Sequence, residues 1–232
     1  MKKILALILA SMMLLTLVAC GNTNEENTTE EITTEAITNE ENNNEENTTE
    51  EITNEEINNE VKSAEEMLNA AVDTFITEIA PLFELSAEEV KDYFTGGYFG
   101  ESEDTFCTGA AKVLPLDDEY AVGTLMSGTL ISEENLAKID DAANFTGMNA
   151  NNFTSFVYHV KNSADVAGIA SAFESAVTNN MWFCGFPEVY FAIQVGDFIF
   201  AGFGLEAQIN VMKTAITATY ENATVLCEGV IL

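Results

Sequence analysis

The ten-residue phrase NEENTTEEIT occupies residues 24–33 and returns unchanged at residues 44–53. Under that copy runs a period of five, set by glutamate pairs beginning at Glu25, Glu30, Glu40, Glu45, Glu50 and Glu55. Such a period matches neither the ~3.6 of a helix nor the ~2 of a strand, so Ile32 and Ile52 never join a face that could be buried. Residues 22–60 also lack any aromatic side chain, Gly, Pro or Lys. Low hydropathy with unrelieved negative charge predicts a disordered acidic spacer over residues 20–60. Whatever folds is therefore encoded in residues 61–232, which hold all 15 Phe, all 6 Tyr and the one Trp. That length suits a single globular domain with a sizeable core.

What the spacer connects is indicated by the residues before it. Lys2 and Lys3 precede an uncharged apolar run, ILALILASMMLLTLVA, at residues 4–19. This reads as an export signal over residues 1–19, removed from the mature chain. The run is shorter than the ~20 residues of a membrane span and has no basic flank after it. It ends in LVAC, with small Ala19 immediately before Cys20. LVAC resembles the bacterial lipobox. The resemblance implies that the Cys20 thiol takes a diacylglyceryl group and becomes the mature N-terminus. Two acyl chains anchor stably where one binds only marginally. The expected location is the extracytoplasmic face of the cell membrane, with the bilayer itself as a partner. A flexible coil of this length spans roughly 35 Å root-mean-square, and fully extended it reaches roughly 130 Å. The repeat offers no preformed geometry for calcium or magnesium, so no metal site is expected there.

Charge narrows the partners. The chain carries a formal net charge of -31, and residues 61–232 hold 25 Asp and Glu against 6 Lys and no Arg. Nucleic acid is excluded as a partner, because phosphate contacts need clustered Lys or Arg.

Within the folded part, SAEEMLNAAVDTFITEIA pairs Ser63 with Glu66 at capping-box spacing and ends before Pro81. SAEEVKDYFTGG repeats the box with Ser86 and Glu89 and predicts a helix running to Gly96 and Gly97. Strand character is expected over residues 120–126 and a helix over 133–143. Beyond them the pattern predicts a strand over 153–160 and a helix over 164–177. A hairpin then turns at Gly196 and Asp197, followed by a helix over 206–220 and a strand over 225–231. The fold class is α+β. Its C-terminal unit has the β-α-β-β-α-β order of a ferredoxin-like antiparallel sheet. Such a unit carries its helices on one face. The run Phe198, Ile199, Phe200, Ala201 is apolar on both, so an N-terminal helical segment within residues 63–145 is expected to cover the other face.

LFELSAEEVKDYF, FVYHVKNSADVAGIASAFESAV and FPEVYFAIQVGDFIFAGFG resemble the domain of unknown function carried by small lipoproteins of Gram-positive anaerobes. The likeness spans residues 81–220. It implies a location and a fold, and brings no catalytic residue with it.

Several constellations invite chemistry. GFGLEA, residues 202–207, fits the G-x-G-x-x-A of dinucleotide sites, with Glu228 as a ribose-binding acid. Its strand is the second arm of a hairpin, and glycines that let a helix approach a strand explain the run equally, so no cofactor is expected. Cys107, Cys184, Cys227 and His159 have the inventory of a zinc site without its spacing, and Cys184 with His159 could form a nucleophilic pair. The expectation is structural thiols, no bound metal and a hydrogen-bonded histidine. Acidic clusters at residues 101–104 and 117–119 could hold a glycosidase pair, although neighbours are expected in so acidic a domain. Aromatic side chains in connecting segments point elsewhere. MWFCGFP places Trp182, Phe183 and Phe186 before the hairpin, and YFTGGYFG places Tyr93, Phe94, Tyr98 and Phe99 around a helix end. Loops lie at the surface and aromatics dominate interfaces, so Trp182, Phe183, Phe186, Tyr98 and Phe99 are candidates for binding an envelope component or another exported protein; the alternative is that both clusters fold inward to cap the sheet. The favoured function is a non-catalytic, surface-displayed lipoprotein. The alternatives are a hydrolase of wall or extracellular polymer and a solute-binding accessory of a transporter.

Overall fold

Ser63 accepts a hydrogen bond from the Glu66 amide at 3.2 Å while the Glu66 carboxylate accepts from the Ser63 amide at 2.8 Å. This reciprocal cap opens α1, Ala64–Ile79, in the computed structural model, which describes residues 62–100 and 102–231. The export signal, Cys20 and the spacer lie outside the described residues. Leu68, Ala71, Val72, Phe75 and Ile79 recur every three or four positions and bury one face of α1.

The second box forms as read, but the helix it starts, α2 (Ala87–Val90), lasts one turn. After a short 3₁₀ turn the chain extends into β1, Phe94–Gly97, where a helix was expected. Packing overrides local propensity here. Phe94 is drawn into an aromatic cluster, 5.2 Å from Phe75 and 5.4 Å from Phe145 between ring centres. The strands β2 (Phe106–Thr108) and β3 (Lys112–Val113) follow. Residues 120–126 are helical rather than extended: α3, Glu119–Thr129, is capped by Asp118 and buries Ala121, Leu125 and Thr129 at i, i+4 spacing. The helix expected over 133–143 is confined to α4, Glu133–Leu136. From Ile139 the chain becomes β4, Ile139–Gly147, whose Ala142, Ala143, Asn144 and Phe145 are buried on both faces of a central strand. The remaining elements lie close to expectation: β5 Phe153–Val160, α5 Val166–Asn179, β6 Val189–Val195, β7 Phe198–Gly204, α6 Glu206–Thr219 and β8 Thr224–Val230.

The fold is α+β, with one eight-stranded sheet in the order β2-β1-β4-β5-β7-β6-β8 and β3 beside β4. Every pairing is antiparallel. The C-terminal β-α-β-β-α-β order is present, but its arrangement differs from the ferredoxin-like one, in which the last strand pairs with the first. Here β4 already holds the outer edge of β5, so β8 pairs with β6 instead. The consequence follows from handedness. The β5-α5-β6 and β7-α6-β8 crossovers advance in the same direction along the sheet while starting from antiparallel strands. Right-handed connections therefore place α5 and α6 on opposite faces. Two cores result. One packs α1 and α6 over Phe145, Phe153, Val157 and Phe200, and the other packs α3 and α5 over Phe156, Tyr158, Ile199 and Phe203. Residues 63–145 thus cover no single bare face: they supply one helix to each layer and four strands to the sheet. Each fully buried Phe, Leu or Ile contributes roughly 1.5–3 kcal/mol. Tyr220 ties α6 to α1 by donating its hydroxyl to the Met67 carbonyl at 2.7 Å.

Candidate functional site

The dipeptide Phe-Thr occurs three times, at residues 94–95, 145–146 and 153–154. Because strand side chains alternate, each phenylalanine enters the α1/α6 core and each threonine faces the other side. Register then aligns the threonines. Thr108 pairs with Thr95, Thr95 with Thr146, and Thr146 with Thr154, forming one row of hydroxyls across β2, β1, β4 and β5. Neighbouring strands stand roughly 4.8 Å apart, and the Thr95 and Thr146 side chains lean together so that their hydroxyls come within 3.4 Å.

Thr95 and Thr146 are left partly exposed because β1 leaves β4 after Thr95, while Thr154 at the inner end of the row is fully buried. The Asn144 side chain takes over the backbone there: its Oδ1 accepts from the Gly97 amide at 2.7 Å and its Nδ2 donates to the Gly97 carbonyl at 3.1 Å. Gly97 has φ +99°, and a Cβ at that position would stand 2.0 Å from the Thr105 carbonyl oxygen, so only glycine fits. The chain then arches over the sheet. Tyr98 turns inward, 6% exposed, and its hydroxyl donates to Asp118 at 2.8 Å. Phe99 stays 86% exposed and stacks on Phe106 with ring centres 5.4 Å apart.

Asp118 joins the arch to α3. Besides Tyr98, it accepts the Tyr120 and Ala121 amides at 2.8 and 3.1 Å. The Ala121 amide, and after it the Tyr98 hydroxyl, hold its carboxyl below the usual carboxylate value; Asp118 in turn pushes the Tyr98 phenol up. The result is a cleft of about 150 Å³. Thr95, Thr146 and Thr154 form its floor, Thr124 on α3 one wall, and Phe99 with Phe106 the rim. Among the described residues no lining side chain carries a charge, and the one titratable group there is the Tyr98 phenol.

Ala150, in the turn between β4 and β5, closes the cleft at one end. The same turn holds the second aromatic segment: Asn149 donates its amide to the Cys184 carbonyl at 2.7 Å and Asn151 to that of Phe183 at 2.5 Å. Trp182 is half-buried against Phe203, 4.9 Å between ring centres, and its indole N–H is buried without a partner among the described residues. Phe183 and Phe186 are 68% and 72% exposed. The five aromatic candidates thus separate. Tyr98 is core, Trp182 is mainly packing, Phe99 belongs to the cleft rim, and Phe183 and Phe186 are exposed on the loop held by the turn. Phe106 and the threonine row escape a reading based on aromatics in loops, although the threefold Phe-Thr is visible in the sequence.

The other constellations do not assemble. Cys107 and Cys227 lie on β2 and β8, the two opposite edges of the sheet, and all three described cysteines are free thiols. Cys184 is held at the β4–β5 turn while His159 sits near the other end of β5, opposite Phe198. Six strand residues put them roughly 20 Å apart along the sheet. The His159 Nδ1 pairs instead with Asp140 at 2.5 Å. Among the described residues no group of His, Cys, Asp and Glu is placed to hold a metal ion. In GFGLEA, a Cβ on Gly202 would meet the Thr154 carbonyl at 2.6 Å and one on Gly204 the Asn152 carbonyl at 2.2 Å, so these glycines admit β5. The Glu188 carboxylate already accepts the Glu206 amide at 2.8 Å, placing negative charge where a phosphate would sit, and Glu228 is paired with Lys213. Asp118 is committed to capping and Glu101 lies outside the described residues.

No family model matches the chain, and no curated protein or solved structure matches it. Among the described residues no helix is long and apolar enough to cross a membrane.

Proposed function

We propose that this chain is a lipoprotein anchored through acylated Cys20 on the extracytoplasmic face of the cell membrane, akin to the small lipoproteins of Gram-positive anaerobes. Its domain, held away from the bilayer by the acidic spacer, binds an envelope component without transforming it. The observation that carries this reading is the open, uncharged cleft rimmed by the exposed pair Phe99 and Phe106. Exposed stacked aromatics beside unspent hydroxyls are what a recognition surface requires. Among the described residues the lining holds no carboxylate, which favours binding over hydrolysis, since glycosidases need two carboxyl groups facing one bond.

The test is retention on purified envelope. The full-length protein in a sugar-free zwitterionic detergent is expected to co-sediment with envelope fragments, and the double substitution Phe99→Ala, Phe106→Ala to remain soluble with an unchanged thermal midpoint. Release of soluble fragments from the envelope by the wild-type protein would instead establish a hydrolase. Undiminished retention of the double variant would remove the cleft from the binding surface.

A further inference from the structure

We infer that the ligand of this cleft is an uncharged saccharide, one pyranose unit of which lies against Phe99 and Phe106 while its hydroxyls meet the threonine row; this rests on the cleft being the binding site. Three features of the cleft converge on that chemistry. First, the cleft is amphipathic in the sense that a pyranose is. A sugar ring presents C–H bonds on its faces and hydroxyls around its edge, and the cleft presents aromatic faces at its rim with Thr95, Thr124, Thr146 and Thr154 below.

Second, the hydroxyls retain capacity. A threonine hydroxyl has one donor and two acceptor sites. Thr154 is buried and donates to the Ala150 carbonyl at 2.8 Å, while the partly exposed Thr95 and Thr146 hydroxyls make only long contacts, 3.4 Å to each other and 3.4 Å from Thr146 to the Thr95 carbonyl, and keep lone pairs for a ligand. The side-chain amide of Asn144 is committed to Gly97 and holds the arch in place.

Third, the surroundings exclude the competing classes. An anionic ligand finds no lysine in the lining and meets Asp118 and Glu119 in the adjoining hollow, on a chain of net charge -31. An extended peptide pairs with an open strand edge, and the nearest one, β2, lies outside the cleft floor. Thr95 is already paired on both sides, with Thr108 and with Thr146. The volume of about 150 Å³ admits a single ring rather than a folded segment. A longer glycan would run outward along the row past Thr108, which is exposed on the edge strand.

The experiment titrates the full-length protein, in sugar-free zwitterionic detergent, with tetrasaccharides of β-1,4-linked N-acetylglucosamine, glucose and mannose, and with polygalacturonate as the anionic comparison. Saturable binding of at least one neutral tetrasaccharide is expected, with polygalacturonate silent. Thr124→Val and Thr146→Val, which preserve shape and remove a hydroxyl, are each expected to weaken it about tenfold, as the loss of a hydrogen bond of ~1.4 kcal/mol would. Phe99→Ala should weaken it by a similar factor while leaving the circular dichroism spectrum unchanged. Failure of all three neutral sugars to bind, or preference for polygalacturonate, overturns the assignment. The two readings fail separately: envelope retention lost in the Phe99→Ala, Phe106→Ala variant without any neutral sugar binding leaves the cleft and removes the sugar. Retention and sugar binding that both ignore the aromatic substitutions remove both.

Discussion

Phe94, Phe145 and Phe153 meet Phe75 in one cluster, with ring centres 4.9–5.8 Å from it, and the threonine after each is thereby fixed on the opposite face. A single alternation thus sets a core on one side of the sheet and a hydroxyl row on the other. The Phe-Thr repeat is visible in the chain, but only the copy at residues 153–154 lies in a segment read as a strand, and the register that aligns the three is set by pairing between distant strands. Gly97 shows how tightly the arch above the row is specified. Gly97→Ala would place a Cβ in collision with the Thr105 carbonyl at φ +99°, and should lower stability by well over ~1 kcal/mol in urea unfolding. The thiols separate by burial. Burial, and after it the Glu174 carboxylate, push Cys227 up to about 11, burial also raises Cys107, and Cys184 is exposed. Iodoacetamide at neutral pH should therefore modify Cys184 first in native protein, with the partly buried Cys107 and Cys227 reacting more slowly; mass mapping that found Cys227 labelled first would contradict this placement. Trp182 was expected either in an interface or in the core, and lies between the two. Trp182→Ala should cost less than the ~3–5 kcal/mol of a fully buried aromatic.

At the scale of elements, α3 is positioned by one carboxylate. Asp118 caps it and accepts from Tyr98, and its carboxyl sits below the usual value. A group whose folded value is depressed contributes stability that is present above the unfolded value, ~3.9, and is lost as pH falls through the folded one. Acid should therefore loosen α3 and the arch together. Asp118→Asn should unfold more readily at neutral pH and lose less further stability below pH ~4 than the wild-type protein, as followed by thermal midpoints across pH. Capping boxes made α1 and the start of α2 readable. The extent of α2, the helical state of residues 119–129 and the strand at 139–147 were not, because sheet partners far along the chain decide them. Asp118 does stand at cap spacing before Ala121, so the start of α3 had a local signal that the apolar run over residues 120–126 obscured. The position of β8 likewise depends on β4 occupying the edge of β5, which no local pattern in the C-terminal unit encodes.

For the whole molecule, composition predicts a signal, a spacer and a folded part, and the described residues of the folded part form an α+β sheet with helices on both faces. The anchor is tested apart from the fold: Cys20→Ala should abolish metabolic lipid labelling and detergent partitioning together. The folded part is proposed to present one binding face, the threonine-floored cleft. The most direct test of that proposal is to follow the backbone and methyl signals of isotopically labelled full-length protein, in sugar-free zwitterionic detergent, as solubilised envelope material is added. The account expects shifts concentrated at Thr95, Phe99, Thr124 and Thr146, with β8 and the loop of Phe183 and Phe186 unmoved. Shifts clustering on that loop or on β8, with Thr95 and Thr146 silent, would contradict it.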